Sequence, residues 1–333
     1  MIITRTPFRI SFFGGGTDFP EHYKEHGGCV LSTTINKYCY IICRKLPPFF
    51  EYKYRIRYTH REETKSINEI GHPVVREVLR YLGIKDGIEM VHTSDIPAMS
   101  GIGSSSAFTV GFLHSLYSLK GKIVGKRYLA SEAIKIEQEI LKENVGSQDQ
   151  VAAAFGGFNR IDFTNEHNFY VTPITINEDR IKQIQDSLML FFTGTTRYSS
   201  NISAEHRKNL PGKVKELNSM KHLVDEAINV LNNENEPIDT FGKLLDETWK
   251  IKRSLSNLVS NSAIDDLYSA VKHAGAIGGK LLGAGGGGFL LCFVPVEKQH
   301  KVSLLLKKYI HVPFRFESLG SQITMYSPED KYD

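Results

Sequence analysis

The sequence predicts an α+β fold in two domains on three observations: a length of 333 residues, a mixture of strand-like and helical runs, and a polar stretch near the middle of the chain. One hydrophobic core seldom grows past about 250–300 residues, so this length calls for two units with a cleft between them. The polar run Asn165 to Asp179 is the expected boundary, giving an N-terminal domain over residues 1–165 and a C-terminal domain over residues 166–333.

Local chemistry sets each element. Arg9 to Phe13 and Tyr38 to Arg44 are rich in β-branched and aromatic residues and read as strands, and Pro47-Pro48 ends the second. Ile88 to His92 is a further short strand. Ser104 to Leu119 reads as a helix whose apolar residues, among them Phe108, Val110, Phe112 and Leu116, fall on nearly every side, which predicts burial. Leu129 to Leu141 carries the 3.6-residue period, is closed by Asn144-Val145-Gly146-Ser147, and is followed by a short helix from Gln148. Phe155-Gly156-Gly157-Phe158 reads as a turn. Leu188 to Phe192 is a strand, helices run through about Ala274, and Lys280 to Val294 reads as strand, tight loop, strand. No internal repeat occurs.

Composition narrows the function. The net charge of +4 arises from a near balance of 41 basic and 37 acidic residues, unlike the one-sided excess of many nucleic-acid binders. Basic clusters such as Lys250-Ile251-Lys252-Arg253 are short and broken by apolar residues. Cys29, Cys39, Cys43 and Cys292 show neither disulfide nor zinc spacing and are expected as reduced, mostly buried thiols. Met1 to Pro7 lacks the features of a signal peptide, and no apolar run approaches the roughly 20 residues of a membrane span. A cytoplasmic protein with small-molecule partners, monomeric or homodimeric, is the expectation, with no nucleic acid or membrane partner.

Three glycine segments carry the chemistry. Pro97 to Ser106 lies between a strand and the buried helix; Gly101 and Gly103 admit close approach, and the helix start offers unpaired N–H groups to an anion. Ser104, Ser105 and Ser106 can cap the helix, hold phosphate oxygens or reach a magnesium ion. An ordinary Gly-Ser turn with a serine cap would use the same residues. No Gly-x-x-x-x-Gly-Lys-Ser/Thr occurs, which argues against a P-loop. Gly283 to Gly288 matches Gly-x-Gly-x-x-Gly, but a strand follows where a dinucleotide-binding loop needs a helix, so a turn packed on the other glycine loop is expected. Gly14-Gly15-Gly16-Thr17-Asp18 follows a strand, and Asp18 can accept hydrogen bonds from hydroxyls.

In this order the segments resemble the three motifs of the galactokinase, homoserine kinase, mevalonate kinase and phosphomevalonate kinase (GHMP) superfamily. Thr6-Pro7-Phe8-Arg9 to Asp18 is similar to the first motif, Pro97 to Ala107 to the second and Lys280 to Gly288 to the third. Within the superfamily, Arg5 to Pro20 most closely resembles the bacterial D-glycero-D-manno-heptose 7-phosphate kinases. The resemblance implies a GHMP kinase fold: an N-terminal domain like the second domain of ribosomal protein S5, binding ATP and carrying the catalytic groups, and a ferredoxin-like C-terminal domain contributing to substrate binding. It also implies an ATP- and Mg2+-dependent kinase acting on the anomeric C1 hydroxyl of heptose 7-phosphate, giving the 1,7-bisphosphate for nucleotide-activated heptose synthesis. Galactokinases carry Glu-His where this chain has Gly15-Gly16, which disfavours galactose. Another sugar-1-kinase, such as a fucokinase, or a non-catalytic ATP and sugar sensor are the alternatives.

The resemblance also assigns roles. Asp149 matches the base and Arg9 the basic residue of the first motif, both catalytic. Pro97, Ser100, Gly101, Ile102, Gly103, Ser104, Ser105 and Ser106 would hold ATP, and Gly14, Gly15, Gly16, Thr17, Asp18, Gly285 and Gly286 the sugar side. Ser105 and Glu137 are the expected magnesium ligands, with Glu139 and Glu132 as competitors. For the sugar's own phosphate, Thr196 and Arg197 combine a hydroxyl, a helix start and a guanidinium, and Lys252 with Arg253 is a second candidate. His22 and His26 have metal-binding spacing but no third ligand and read as a solvated pair. Trp249 reads as core or rim.

Overall fold

The computed structural model describes residues 1–98, 100–164, 168–194 and 199–327. The chain opens with β1 (Ile2–Phe13), α1 (Pro20–His26) and β2 (Gly28–Lys45), continues through β3 (Tyr54–Arg57), β4 (Arg61–Thr64), α2 (Pro73–Tyr81) and β5 (Ile88–Ser94), and reaches α3 (Ser104–Leu119). Next come α4 (Lys126–Lys135), α5 (Gln148–Phe155), β6 (Phe158–Phe163) and β7 (Phe169–Pro173). After α6 (Glu178–Ser187) lie β8 (Leu188–Phe192), α7 (Ser199–Asn209), α8 (Val214–Asn232), α9 (Asp239–Leu255) and α10 (Ser262–Ala274). The chain then runs through β9 (Gly278–Leu281), β10 (Phe289–Phe293), α11 (Gln299–Leu305), β11 (Ile310–His311), β12 (Phe316–Glu317) and β13 (Gln322–Tyr326).

Among the described residues the strands form two sheets. The larger runs β13-β1-β2-β5-β3-β4, with β6 and β12 also on β2 and β7 on β6; the smaller runs β11-β8-β10-β9. One edge of β2 is shared in succession by β6, β12 and β5, while β1 follows its other edge from Ile2 to Phe13. A division near residue 165 would separate β6 from its antiparallel partner β7 and leave β12 and β13 in the sheet of the opposite half.

Helix α3 has buried residues around its whole circumference, so the absence of an amphipathic stripe in its sequence reflects a helix enclosed by β1, β2, α4 and α5. The helical pattern expected over Leu129 to Leu141 is split: α4 ends at Lys135 and the next turn, Ile136–Ile140, is π-helical. Phe241 on α9 meets Phe12 and Phe13 at the end of β1, with ring centroids 5.5 and 5.0 Å apart, which joins the layers directly behind the first glycine segment. Trp249 is fully buried, and all four cysteines are buried and outside any disulfide. No helix of the described residues is long and apolar enough to cross a membrane.

Candidate active site

The three glycine segments converge on one cleft of about 500 Å³. β1 brings Arg9 to its floor. The guanidinium, 4% exposed, grips Asp149 at the start of α5 with two hydrogen bonds, Nε to Oδ1 at 2.7 Å and Nη2 to Oδ2 at 2.8 Å. Its remaining Nη1 donates to Gly101 O at 3.0 Å, so a single side chain ties the catalytic carboxylate candidate to the second glycine loop. Gly103, at φ 76°, ends that loop and caps α3; a Cβ there would lie 3.3 Å from Asp149 Oδ2. Glycine thus lets the start of α3 and Asp149 stand side by side.

Two buried lysines extend the positive charge. Lys280 Nζ donates to Phe12 O at 2.9 Å, and Lys252 Nζ to Leu281 O at 2.8 Å and Gly283 O at 2.5 Å. Burial, reinforced by Arg9, pushes Lys252 down to about 7; burial, Lys252 and Arg9 together push Lys280 well below the usual lysine range. Both line the cleft. Their acceptors are carbonyls, so an anion entering the cleft would supply the charge they lack. Asp18 is also buried there. Its Oδ1 accepts from Gly16 N at 2.9 Å and its Oδ2 from Gln148 N at 3.3 Å, while burial and the Asp149 charge raise its pKa.

Behind the second glycine loop, Ser106 Oγ donates to Glu137 Oε2 at 2.9 Å, Gln150 Nε2 donates to the same oxygen, and Oε1 has no partner. Burial and then the Glu143 charge raise the Glu137 carboxyl to about 8.

Of the residues singled out in the sequence, Gly15, Gly16, Asp18, Arg9, Asp149 and Lys252 line the cleft, and so do Gly101, Gly103, Ser104 and Ser105. The other members of the same segments do not. Pro97 is exposed at the loop entrance, Ser100 and Ile102 are buried beneath it, and Ser106 turns to Glu137. Gly14 and Thr17 pack on Cys29, and Gly285 and Gly286 lie against Val259. Arg253 is not brought to the cleft: one position along α9 from Lys252, it points about 100° away and pairs with Asp265 at 3.0 Å. Thr196 and Arg197 lie outside the described residues. The His22–His26 pair is not solvated as expected: His22 is buried, its ring 5.1 Å from that of His26, and burial and neighbouring positive charge hold it down at about 4. No group of three or more His, Cys, Asp or Glu side chains placed to hold a metal ion occurs among the described residues.

Sequence reasoning placed Lys280 at the start of the third motif but gave it no role, although a lysine between Gly278-Gly279 and the glycine run, inside an apolar strand, was a usable signal. It missed Lys142, Asn144 and Ser203 on the outer wall, which no local pattern marks.

Residues 68–157 match the GHMP kinases N-terminal domain, and residues 227–308 the GHMP kinases C-terminal region. The D-glycero-alpha-D-manno-heptose 7-phosphate kinase of Campylobacter jejuni subsp. jejuni serotype O:2 is 31% identical over 317 residues, covering 92% of this chain and 93% of that protein. The chain belongs to the GHMP kinases. Among solved structures of this fold, a D-glycero-D-manno-heptose 1-phosphate kinase from Bacteroides thetaiotaomicron superposes with a TM-score of 0.79 at 22% identity, covering 98% of this chain and all of that one, 100%. The bifunctional fucokinase/GDP-fucose pyrophosphorylase of Arabidopsis thaliana is 25% identical over 86% of this chain but only 29% of its own length. As a GHMP kinase, the protein has the two-part fold expected from its motifs, and the cleft lies where the three motifs meet.

Proposed function

We propose that this GHMP kinase transfers the γ-phosphoryl group of ATP to the C1 hydroxyl of D-glycero-D-manno-heptose 7-phosphate, giving the 1,7-bisphosphate. The observation that carries the reading is the Arg9–Asp149 pair, bound at both oxygens, set directly beside Gly103 at the start of α3. Phosphoryl transfer asks a protein mainly for alignment and neutralisation of charge. The N–H groups at the start of α3 suit a triphosphate, while Arg9, Lys252 and Lys280 supply positive charge where the phosphoryl group passes. Asp149 aims the sugar hydroxyl and takes its proton as the new O–P bond forms. The similarity to the Campylobacter jejuni enzyme over most of both chains supports a heptose 7-phosphate as acceptor.

Magnesium fits the residues present. The Ser105 hydroxyl on the cleft, and behind the same loop the Ser106 hydroxyl with the unpartnered Glu137 Oε1, are the hard oxygen donors that would hold it. Bound there, the ion would neutralise charge on the transferred phosphoryl group. The need for ATP supports a cytoplasmic site of action.

The test is a turnover assay with magnesium-ATP and a panel of heptoses, heptose phosphates and fucose, with the position of the new phosphate read by NMR. Product at C1 of heptose 7-phosphate is expected; faster turnover of an unphosphorylated hexose would reject the reading. Asp149→Asn should lower kcat about 10³-fold.

A further inference from the structure

The cleft continues past Asp149 along a wall for which the reading above gives no task. Contacts set its order. Asp149 abuts Gly103; its neighbour Gln148 binds Asp18 through its N–H; Gly146 stands against the Asp18 carboxylate. Next, Asn144 Oδ1 accepts from Arg207 Nη1 at 3.1 Å, and Arg207 Nε donates to Glu21 at 2.6 Å. This run leads from Asp149 to the place where Arg207 of α7 meets Glu21 of α1, while Glu143 within it is tied back through its N–H to Glu137 O.

Lys142, Asn144 and Ser203 face the cleft along this wall. Lys142 has φ 55° and is the one non-glycine residue among those described with a positive φ. A lysine pays for that conformation through its Cβ, and the chain reaches it from the π-helical turn, with Leu141 N bonded to Ile136 O and Glu143 N to Glu137 O. Strain of this kind, beside an irregular helix turn and inside a cleft, marks a side chain held where it is needed. Lys142 forms no ion pair with a described residue. Glu143, beside it on the same wall, directs its charge at Glu137 instead. With its Oδ1 committed to Arg207, Asn144 keeps its NH2 to donate elsewhere.

We infer that Lys142, Asn144 and Ser203 form the cradle for the phosphate carried by the sugar, with Arg207 as a positioning residue that fixes Asn144 and α7. An ammonium, an amide N–H and a hydroxyl are donors suited to a phosphate monoester. The placement agrees with the substrate's shape: the reacting C1 hydroxyl belongs at Asp149, and the phosphate at the opposite end of the sugar must lie on the far side of Asp149 from Gly103. Lys252 and Lys280 stand beside Arg9 and serve the reacting end. The inference rests on the sugar-phosphate reading above.

Lys142→Gly tests it, because glycine is at ease at φ 55° and the variant should melt at the same temperature or about 2 °C higher. With the full chain and magnesium-ATP, kcat/KM for heptose 7-phosphate should fall about 30-fold while kcat/KM for unphosphorylated heptose changes less than twofold. Lys142→Arg should keep most of the preference, and Arg207→Gln should lose part of it through KM with kcat retained. An unchanged preference in Lys142→Gly, or an equal fall on both sugars, overturns the cradle. A wild-type enzyme with no preference for the phosphorylated sugar would instead overturn the substrate reading itself.

Discussion

Two glycine loops face each other at the centre of the cleft, and they use glycine for different ends. The loop from Gly101 to Gly103 lines the ligand space, and the helix behind it presents its first N–H groups. From Gly283 to Gly288 most of the backbone turns inward. A Cβ on Gly283 would lie 2.5 Å from Gly101 Cα, one on Gly285 2.5 Å from Val259 O, and one on Gly288 2.4 Å from Ser100 O. Gly103 is bare so that Asp149 can stand beside the helix start; Gly283 and Gly288 are bare so that the first loop can be held, and Gly101 answers them, since a Cβ there would lie 2.8 Å from Leu282 O. Glycine density marks close approach without saying what approaches.

Four changes sharpen this contrast. Gly283→Ala should cost most, about 3 kcal/mol by urea denaturation, because it adds a clash to a left-handed conformation at φ 64°. Because the clash falls on Gly101, the folded fraction should also show a raised KM for ATP. Gly285→Ala should cost about 2 kcal/mol yet leave that KM within twofold; a matching rise in KM would mean that the third loop is itself a binding loop, and the contrast would fail. Ser105→Ala should do the reverse, changing stability by less than about 0.5 kcal/mol while kcat/KM for magnesium-ATP drops about 30-fold.

The smallest effect is on pH. Lys252, which ties α9 to the third loop, titrates near 7 in the folded protein and near its ordinary value when unfolded. The unfolded chain therefore binds the proton more tightly, and stability should rise with pH from about 7 toward the ordinary lysine range, by at most about 1.4 kcal/mol per unit. Glu137, raised to about 8, acts in the opposite sense below that pH; above it Lys280, also pushed down, adds to the rise while the buried thiols of Cys29, Cys39 and Cys292, raised by burial, oppose it, so between about pH 8 and 9.5 the Lys252 share is the difference between the wild type and Lys252→Met. Urea midpoints across this interval should show a slope that Lys252→Met reduces.

What the sequence made legible follows from the range of the signals. The bounds of α3 and β8 coincide with the apolar runs that predicted them, because a fully enclosed helix or strand declares itself residue by residue. The β3–β4 hairpin was not anticipated: Tyr52 to Tyr58 does alternate apolar with basic residues, but β4 holds no apolar residue to mark it as the partner, and its charges pair across the strands, Arg55 with Glu63 at 3.4 Å. The site divides in the same way. Motif glycines, Arg9 and Asp149 were visible, but nothing local separates Lys252 from Arg253, or Ser105 from Ser106, since helix phase relative to the rest of the fold decides which one faces the cleft. The strained backbone of Lys142 depends on the π-helical turn before it, which the regular periodicity of that segment concealed.

The pairing of β13 with β1 carries a consequence for synthesis. Ile2 to Arg5 lie between β2 and β13, so one edge of the strand that delivers Arg9 waits for residues 322–326. At translation rates of about 5–20 residues per second, that edge stays open for roughly half a minute on a nascent chain. Made well before its partner β13, β1 is among the last strands to be enclosed, and during that interval an unpaired strand edge is exposed to other chains.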